Sequence, residues 1–265
     1  MQRRRSRPRA PGAGILGDVP RDWDAATYDR IADPQFRWGS AVLDRLPLDG
    51  TETVLDAGCG SGRVTEALAE RLPRGRVIAL DGSPAMIDQA RGRLGPLGER
   101  VRFVVADLLE PLPVDPVDGV FSTATFHWVT DHDRLFRNLA AALRPGGLLV
   151  AQCGGAGNLA NVVTALEQVG ADPFTDKVFA SAEETTRRLE AAGFDEIHCW
   201  LHPEPTLFAS LDELATFLRT VALGSQVAGM TDAQAARHAR EIAGRLPALE
   251  LDYVRLNISA RRSIR

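Results

Sequence analysis

The chain has 265 residues, 45% of them hydrophobic, and a formal net charge of -4. That length and apolar content suffice for one large domain with its own core, and the small negative charge gives no sign of a general affinity for nucleic acid. No apolar run is long enough to cross a membrane, and three widely spaced cysteines argue against a disulfide scaffold and for a reducing compartment. We therefore expect a cytoplasmic monomer or homodimer with no nucleic-acid or membrane partner.

The amino-terminal segment has a composition of its own. Residues 1–18 are rich in Arg, Pro and Gly and lack the apolar stretch of a secretory signal, so we expect a disordered basic tail. Residues 19–265 are expected to form a single domain. This domain opens with WDAATYDRIADPQFRWGSAVLDRL, whose apolar spacing predicts a helix that is interrupted at Pro34.

From residue 51 onward, short apolar strands alternate with helices. The predicted strands are ETVLDAG, RVIALD, VRFVVAD, DGVFSTAT, LLVAQCG, FDEIHCWL and LELDYVRLNISARR. The predicted helices are RVTEALAERL, SPAMIDQARGRL, DHDRLFRNLAAAL, NLANVVTALEQVG, SAEETTRRLEAAG, LDELATFLRTVAL and DAQAARHAREIAGRL. Strands joined by helical crossovers pair in parallel, which predicts a doubly wound α/β sheet. Ligands of such sheets bind beyond the carboxyl ends of the strands.

Several helix ends carry recognisable caps. Ser83 precedes a proline, which predicts an N-cap with proline at the first helical position. Asp131 precedes HDRLFRNL and is expected to cap that helix. Ser181 and Glu184 have the spacing of a capping box, and Gly193 is expected to end the helix that they begin.

The glycine-rich stretch VLDAGCGSGRV is the strongest functional motif. It follows an apolar strand and opens a helix, a position where glycines let a ligand approach the backbone and free N–H groups can receive an anion. A dinucleotide fingerprint requires G-x-G-x-x-G, and the position of its third glycine is occupied by Arg63. The observed spacing is G-x-G-x-G, preceded by an acid.

That spacing resembles motif I of the class I methyltransferases that depend on S-adenosylmethionine (SAM). Asp81 at the end of the second strand, Asp107 at the end of the third and the LRPGG turn before the fifth also match this family. The resemblance implies a Rossmann-like sheet of seven strands, mostly parallel with an antiparallel last strand, and a helical lid. It implies SAM as methyl donor and S-adenosylhomocysteine as product.

The resemblance also assigns residues to the parts of SAM. The acid and glycines of motif I would hold the methionine end, the acid after the second strand the ribose, and Asp107 and Leu108 would flank an adenine on which Met86 packs. Thr123 ends the fourth strand near the transferable methyl group. The expected cofactor-binding residues are Tyr28, Arg37, Asp56, Gly58, Gly60, Gly62, Asp81, Gly82, Met86, Asp107, Leu108 and Thr123.

The lid segments resemble a narrower group. Trp23 and Asp24, then Tyr28, then Asp33 with Arg37 are similar to the start of the trans-aconitate methyltransferases, within the type 11 and type 25 methyltransferase groups. The resemblance places lid elements at about residues 19–46 and 205–247.

An apolar stripe in the second of these segments comprises Leu214, Phe217, Leu218 and Val221, and we expect it to pack on the sheet. Its leftover aromatic surface would make the pocket mostly apolar. Trp23 and Phe217 are therefore candidate substrate contacts, and Arg37 is also a candidate clamp for a carboxylate.

The stretch VFSTATFHWVTDHD follows the fourth strand, and its His127 and Trp128 would face the substrate. His127 could act as a general base, orient a substrate oxygen as a neutral donor, or pair with a nearby backbone group. A metal site would require His127, Asp131 and His132 to converge, and no second ligand cluster supports one, so we expect no metal.

The expected function is SAM-dependent methylation of a small molecule, with carboxylate O-methylation of a small organic acid as the leading hypothesis. A carboxylic acid is already ionised at neutral pH and needs no base. One alternative is O- or C-methylation of a natural product with His127 as the catalytic base. The alternative from another class is a protein that binds SAM or NAD without catalysis.

Overall fold

The computed structural model describes residues 33–224 and 226–264, and for residues 33–36 it describes the backbone alone. The strands are β1 (Thr53–Ala57), β2 (Arg76–Asp81), β3 (Val101–Val105), β4 (Val117–Thr123), β5 (Leu143–Gly154), β6 (Phe194–Pro203), β7 (Thr206–Leu207), β8 (Glu250–Leu251) and β9 (Val254–Arg262). The helices are α1 (Asp33–Leu43), α2 (Arg63–Glu70), α3 (Pro84–Leu94), α4 (His132–Ala142), α5 (Ala160–Gln168), α6 (Ala182–Ala191), α7 (Leu211–Phe217) and α8 (Asp232–Ala243). Short helical turns lie at Gly95–Arg100, Phe126–Trp128 and Leu218–Ala222.

Seven strands form one sheet in the order β3-β2-β1-β4-β5-β9-β6. β1 pairs in parallel with β2 and β4, and the parallel pairing continues outward to β3 and β5. β9 runs antiparallel between β5 and β6. The predicted α/β class, a doubly wound and mostly parallel sheet with an antiparallel last strand, is therefore confirmed. The strand order reverses between β1 and β4, which opens a crevice at the carboxyl ends of these two strands.

The helix ends follow the predicted caps. Ser83 caps α3 and Asp131 caps α4, each by accepting a hydrogen bond from the backbone N–H three residues later. Ser181 and Glu184 form the reciprocal capping box of α6. Gly193 follows α6 with a φ of 87°, the left-handed conformation that commonly ends a helix. Local side-chain chemistry therefore sets these boundaries.

Two strand boundaries differ from the prediction. LELDYVRLNISARR splits into β8, which pairs with β7 in a separate two-stranded sheet, and β9. The LRPGG turn does not precede the fifth strand, because β5 already begins at Leu143 and Gly146 adopts a φ of 80° within it. The register between β4 and β5 shifts at this point, between Val117 and Gly119. Both differences come from pairing with distant strands, which sequence periodicity does not report.

The apolar side chains form three clusters. Two of them cover opposite faces of the sheet, because alternate residues of β1 and β2 enter one or the other. The predicted stripe of Leu214, Phe217, Leu218 and Val221 is buried in the third cluster, where it packs with apolar residues of α5 and α8. The expectation that this stripe packs on the sheet was wrong. α1 contributes Trp38 to the same cluster, and the lid boundaries themselves stay a prediction.

In the described ranges, no helix combines the length and the apolar character needed to cross a membrane. Cys59 and Cys153 are buried free thiols, and Cys199 is a half-buried one. The predicted basic tail, residues 1–18, lies outside the described residues.

Candidate active site

A cleft of about 620 Å³ opens at the carboxyl ends of β1, β2, β3 and β4. Its lining comes from the loop after β1, the residues after β2 and β3, the turn after β4, the loop between α5 and α6, and the start of β9. The volume lies in the range of roughly 300–1,000 Å³ that is typical of small-molecule sites. The cleft thus occupies the place where a doubly wound sheet binds its ligand.

The glycine loop after β1 forms one wall. The N–H groups of Gly58 and Cys59 donate to the carbonyl oxygen of Leu80, at 2.8 and 2.9 Å. Gly58 has a φ of 83°, and a Cβ there would lie 2.2 Å from the Thr125 hydroxyl oxygen. Gly60 has a φ of 54°, but a Cβ there would enter open space at the cleft wall. Gly58 is therefore required by the packing of the loop, whereas Gly60 leaves room for a ligand to approach the backbone.

Asp81 faces this loop from the end of β2. Its Oδ2 accepts a hydrogen bond from the Gly60 N–H and its Oδ1 accepts one from the Ser83 N–H, both at 2.9 Å. Burial raises the pKa of Asp81, and these backbone hydrogen bonds act in the opposite direction. Each carboxylate oxygen can accept more than one hydrogen bond, so the group can still receive the two hydroxyls of a ribose.

Asp56 lies beneath the loop and is only 2% exposed. Its Oδ2 accepts a hydrogen bond of 2.7 Å from the Thr65 hydroxyl. Burial raises the pKa of Asp56 to about 7, against the lowering effect of Thr65 and with a smaller contribution from the charge of Asp81. A cation bound nearby would favour the ionised form of this carboxyl. The position therefore suits a ligand with an ammonium or sulfonium group.

The far end of the same wall is apolar with a polar edge. Met86 and Leu108 line the cleft and are 4% and 6% exposed. Asp107 also lines it, and its Oδ1 accepts a hydrogen bond from the Leu109 N–H at 2.9 Å. Gly82 belongs to this lining as well. Two apolar side chains and a carboxylate at one end of a cleft can hold a flat base such as adenine.

Two predicted site residues lie elsewhere. Gly62 starts α2, and a Cβ there would lie 3.0 Å from a methyl group of Leu94, so this glycine lets the loop pack on α3 and does not line the cleft. Phe217 is 1% exposed and its ring lies 5.1 Å from that of Phe208. It belongs to the third cluster, and the neighbouring residues Val221 and Ala222 reach the cleft instead.

The predicted lid residues near the amino terminus are not seen at the site. Arg37 is exposed on α1 and is not among the residues that line the cleft. Trp23 and Tyr28 lie outside the described residues. The assignments of Trp23 and Tyr28 stay predictions, and the geometry gives no support to that of Arg37.

His127 lies in the turn after β4 and lines the cleft together with Thr123 and Trp128. Its Nδ1 accepts a hydrogen bond from the Gly154 N–H at 3.3 Å, so in the neutral ring the proton is on Nε2. The ring lies 5.2 Å from Trp128 and stacks at 6.0 Å on Phe179.

Burial holds the pKa of His127 well below its usual value, and the positive charges of Arg255 and Lys177 lower it further. The imidazole is therefore neutral near pH 7. With Nδ1 engaged by a backbone N–H, its Nε2 is a hydrogen-bond donor.

Asp131 and His132, which a metal site would need, are engaged elsewhere. Asp131 caps α4, and the His132 Nε2 lies 2.9 Å from the Phe126 carbonyl oxygen. Across the described part of the chain, no group of three or more His, Cys, Asp or Glu side chains is placed to hold a metal ion.

Lys177 brings an ammonium group from the loop between α5 and α6 to the side of the cleft that holds His127. Its side chain is 2% exposed, and its Nζ lies 3.0 Å from the Asp176 carboxylate. The Nζ also lies 4.3 Å from the ring centre of Trp128 and 4.1 Å from that of Phe174. A carboxylate and two aromatic faces together stabilise this desolvated cation.

Arg255 supplies a second cation from β9, and it is 3% exposed. Its guanidinium carbon lies 4.7 Å from the ring centre of Trp38 and 6.0 Å from that of Tyr253. Its Nε donates to the Gln152 Oε1 at 3.4 Å. The guanidinium is thus held in a defined plane at the cleft.

Neither cation was predicted from the sequence, although each left a signal. Lys177 is the only lysine in a chain whose other basic residues are all arginines. Arg255, Asn257 and Ser259 alternate with apolar residues on β9, which gives the strand one polar face. That face could have been exposed to solvent, and only the folded chain shows that Arg255 and Asn257 are buried, at 3% and 4% exposure.

Comparisons with known proteins agree with this site. Residues 54–147 match the family model of a methyltransferase domain. The trans-aconitate 2-methyltransferase of Methylobacterium nodulans is 37% identical over 182 residues, 68% of this chain and 67% of that protein. The enzyme of the same name from an Azoarcus species is 41% identical over 130 residues, which span half of its length and 49% of this chain.

Solved structures agree in fold. A Haemonchus contortus phosphoethanolamine N-methyltransferase, bound to phosphomonomethylethanolamine and S-adenosylhomocysteine, matches with a TM-score of 0.63 at 20% identity, over 91% of this chain and 57% of that one. A Haloferax volcanii methyltransferase complex matches with a TM-score of 0.58 at 25% identity, over 91% and 95% of the two chains.

The sheet order, the glycine loop and these relatives define an enzyme that transfers a methyl group from SAM. The chain belongs to the class I SAM-dependent methyltransferases. Relatives that are 36% to 41% identical to it are named trans-aconitate 2-methyltransferase.

Proposed function

We propose that the protein methylates a carboxylate oxygen of a small organic acid. The observation that carries this proposal is the separation of charge along the cleft. Asp56, Asp81 and Asp107 line the cleft near the glycine loop, where Arg63 also lies, while Arg255 and the Lys177–Asp176 ion pair line it together with the neutral donor His127. SAM carries positive charge at its sulfonium and ammonium groups, so it fits the acidic side, and an anion fits the basic side.

The residues of the acidic side suit SAM in their chemistry and in the space they leave. Asp81 would accept the ribose hydroxyls, Asp56 and the open backbone at Gly60 would hold the methionine end, and Met86 and Leu108 would enclose the adenine. When bound there, SAM supplies an electrophilic methyl group that an oxygen nucleophile can displace in line. The protein contributes by aligning the two reactants and excluding water.

His127 would orient the substrate in this proposal. A carboxylate is already ionised, so the new O–CH₃ bond forms and the S–CH₃ bond breaks without proton transfer. The Nε2–H of His127 can donate to one carboxylate oxygen while the other faces the methyl group. A base role would require an unprotonated Nε2, which the Gly154 hydrogen bond to Nδ1 disfavours. The natural-product alternative with His127 as base is therefore less well supported.

The relatives support an acid as the substrate, because trans-aconitate is a carboxylate and the enzymes named for it are 37% to 41% identical to this chain. Cations near the nucleophile would also stabilise a phenolate or an enolate, so the names of these relatives, and not the cations, favour a carboxylate.

The test is a screen of small mono-, di- and tricarboxylic acids and phenols with methyl-labelled SAM. We expect label in a product that releases methanol in alkali, as a methyl ester does, and the greatest turnover with an acid. We also expect that ionisation of His127 does not control turnover. Any increase in turnover with pH near neutrality should therefore persist in His127→Gln. Methylation of phenols without turnover of any acid would refute the proposal.

Arg255→Leu tests whether the Arg255 guanidinium binds the acid. We expect about a 50-fold increase in the KM for the acid, because an ion pair in a partly desolvated site is lost, and little change in the Kd for SAM. The control is Ser259→Ala, which lies on the same strand and does not line the cleft. An equal loss of SAM affinity would place Arg255 at the wrong end of the cleft.

A further inference from the structure

A closed ring of hydrogen bonds begins and ends at Arg255. Its Nε donates to the Gln152 Oε1 at 3.4 Å, and the Gln152 Nε2 donates to the Asn257 Oδ1 at 2.8 Å. The Asn257 Nδ2 then donates to the backbone carbonyl oxygen of Arg255 at 3.2 Å. Each amide therefore donates once and accepts once, and the direction of every bond in the ring is defined.

We infer that Gln152 and Asn257 are positioning residues, which hold the Arg255 guanidinium in the plane and place where it meets the substrate. Neither amide lines the cleft, whereas Arg255 does, so they can act on a ligand only through it. What Arg255 binds rests on the proposed function, but its fixation by the ring does not.

The location of the ring favours this role over simple packing. Gln152 and Asn257 are paired residues of β5 and β9 in the sheet, and Asn257 is 4% exposed. An apolar pair could fill the same space without the cost of desolvating one buried and one half-buried amide. A guanidinium that binds a carboxylate through two parallel N–H groups, however, must keep a fixed plane. The Arg255 guanidinium carbon lies over the Trp38 ring at 4.7 Å from its centre, while Gln152 accepts a hydrogen bond from the Nε–H.

Two substitutions of Gln152 separate the orientation of the Arg255 guanidinium from its positive charge. Gln152→Leu removes both of its hydrogen bonds, so we expect Arg255 to lose its fixed orientation. Gln152→Glu keeps an acceptor for the Arg255 Nε but adds a negative charge, so we expect the orientation to persist while the positive charge is neutralised. Both variants should weaken the binding of an acid, by about tenfold, because a hydrogen bond to a charged group is involved.

Orientation is measured by the ¹H–¹⁵N NMR signal of the Arg255 Nε–H, identified by its absence in Arg255→Lys. We expect a sharp, slowly exchanging signal in the wild type, Gln152→Glu and the control Ser259→Ala, and a broadened or missing signal in Gln152→Leu. Affinity is measured by calorimetry with trans-aconitate and protein saturated with S-adenosylhomocysteine. In an Arg255→Lys background, Gln152→Leu should weaken binding no further.

An unchanged Nε–H signal and unchanged affinity in Gln152→Leu would overturn the inference, and so would a full additional loss in the Arg255→Lys background. If Gln152→Leu fails to fold, Gln152→Glu decides, because retained affinity there would show that the charge of Arg255 is not used. Two results together would refute the proposed substrate but support the positioning role of the ring. The wild-type protein would bind no acid, and the Arg255 Nε–H signal would still be lost in Gln152→Leu.

Discussion

The two ends of the cleft differ in how the chain builds them. The acidic end comes from residues that directly follow β1, β2 and β3, and backbone N–H groups hold it together, as in the bonds from Gly60 and Ser83 to Asp81. The basic end takes His127 from a turn, Lys177 from a loop and Arg255 from the last strand of the sheet. Each residue of the acidic end is therefore marked in the sequence by the strand before it, whereas no such mark identifies the residues of the basic end.

This difference has a physical origin. A glycine loop at a strand end binds its ligand largely through the backbone, so the motif itself carries the function. Cations in a cleft must be desolvated next to compensating groups, and those groups come from whatever elements pack nearby. If the two ends are independent sites, a substitution at the acidic end should leave binding of the acid unchanged. A substitution at the basic end should leave binding of SAM unchanged.

The largest expected effect concerns Asp56 and stability. In the folded state the Asp56 carboxyl keeps its proton up to about pH 7, whereas in the unfolded chain it loses that proton near pH 4. Between these two pH values the folded state binds more protons than the unfolded chain. The free energy of unfolding therefore falls as the pH rises from about 4 to about 7. The loss is on the order of 4 kcal/mol for the ligand-free protein. About 2.5 kcal/mol of this loss falls between pH 5 and pH 8, and Asp56→Asn should remove it, as measured by denaturant unfolding at these two pH values.

The exposed Asp88, which pairs with Arg91 on α3, provides the control as Asp88→Asn. SAM should restore the stability of the wild type at pH 8 if the ionised Asp56 receives its positive charge. Equal losses of stability in the wild type and Asp56→Asn would contradict the assignment.

Asp81→Ala should separate the two ends most sharply. It removes the acceptor for the ribose and for two backbone N–H groups, so we expect the Kd for SAM to rise about 100-fold. Calorimetry with S-adenosylhomocysteine measures this directly, and Asp88→Ala is the control. The independence of the two ends predicts that the KM for the acid, measured at saturating SAM, changes less than threefold; a parallel increase would show that they are coupled.

Lys177→Met tests the basic end without a large change in volume. We expect about a tenfold increase in the KM for the acid, with the Kd for SAM unchanged, because a desolvated cation is lost. Lys177→Arg should be no better, because the planar guanidinium does not fit the place of a compact ammonium between Trp128 and Phe174. Recovery of activity in Lys177→Arg would show that charge alone matters there.

Arg37→Ala should have the smallest effect, below twofold in kcat and KM, because Arg37 is exposed outside the cleft. Surface substitutions of this kind usually change little. A clear increase in the KM for the acid would instead support the prediction from the sequence that Arg37 clamps a carboxylate. The substrate site would then extend beyond the residues that line the cleft.

The predictable part of the molecule is the part with local causes. The strands and the caps at Ser83, Asp131 and Ser181 follow from residues next to them in the chain. The stripe around Phe217 was recognised as buried but was assigned to the wrong partner, because periodicity identifies an apolar face and not what covers it. The sequence likewise does not show that Gly62 packs against Leu94 and lies outside the cleft lining, since Leu94 comes from another helix.

The sequence by itself determined the class of sheet, the position of the cleft and the acids that line the side proposed for SAM, because each depends on a strand and the residues that follow it. The tertiary structure alone decided the tautomer of His127, through a Gly154 N–H that comes from β5. It also decided the burial of Arg255 on β9, because Trp38 comes from α1 to cover its guanidinium. Desolvation and hydrogen-bond partners are properties of packing, and they bring a histidine and two cations together in the site that we propose for an anion.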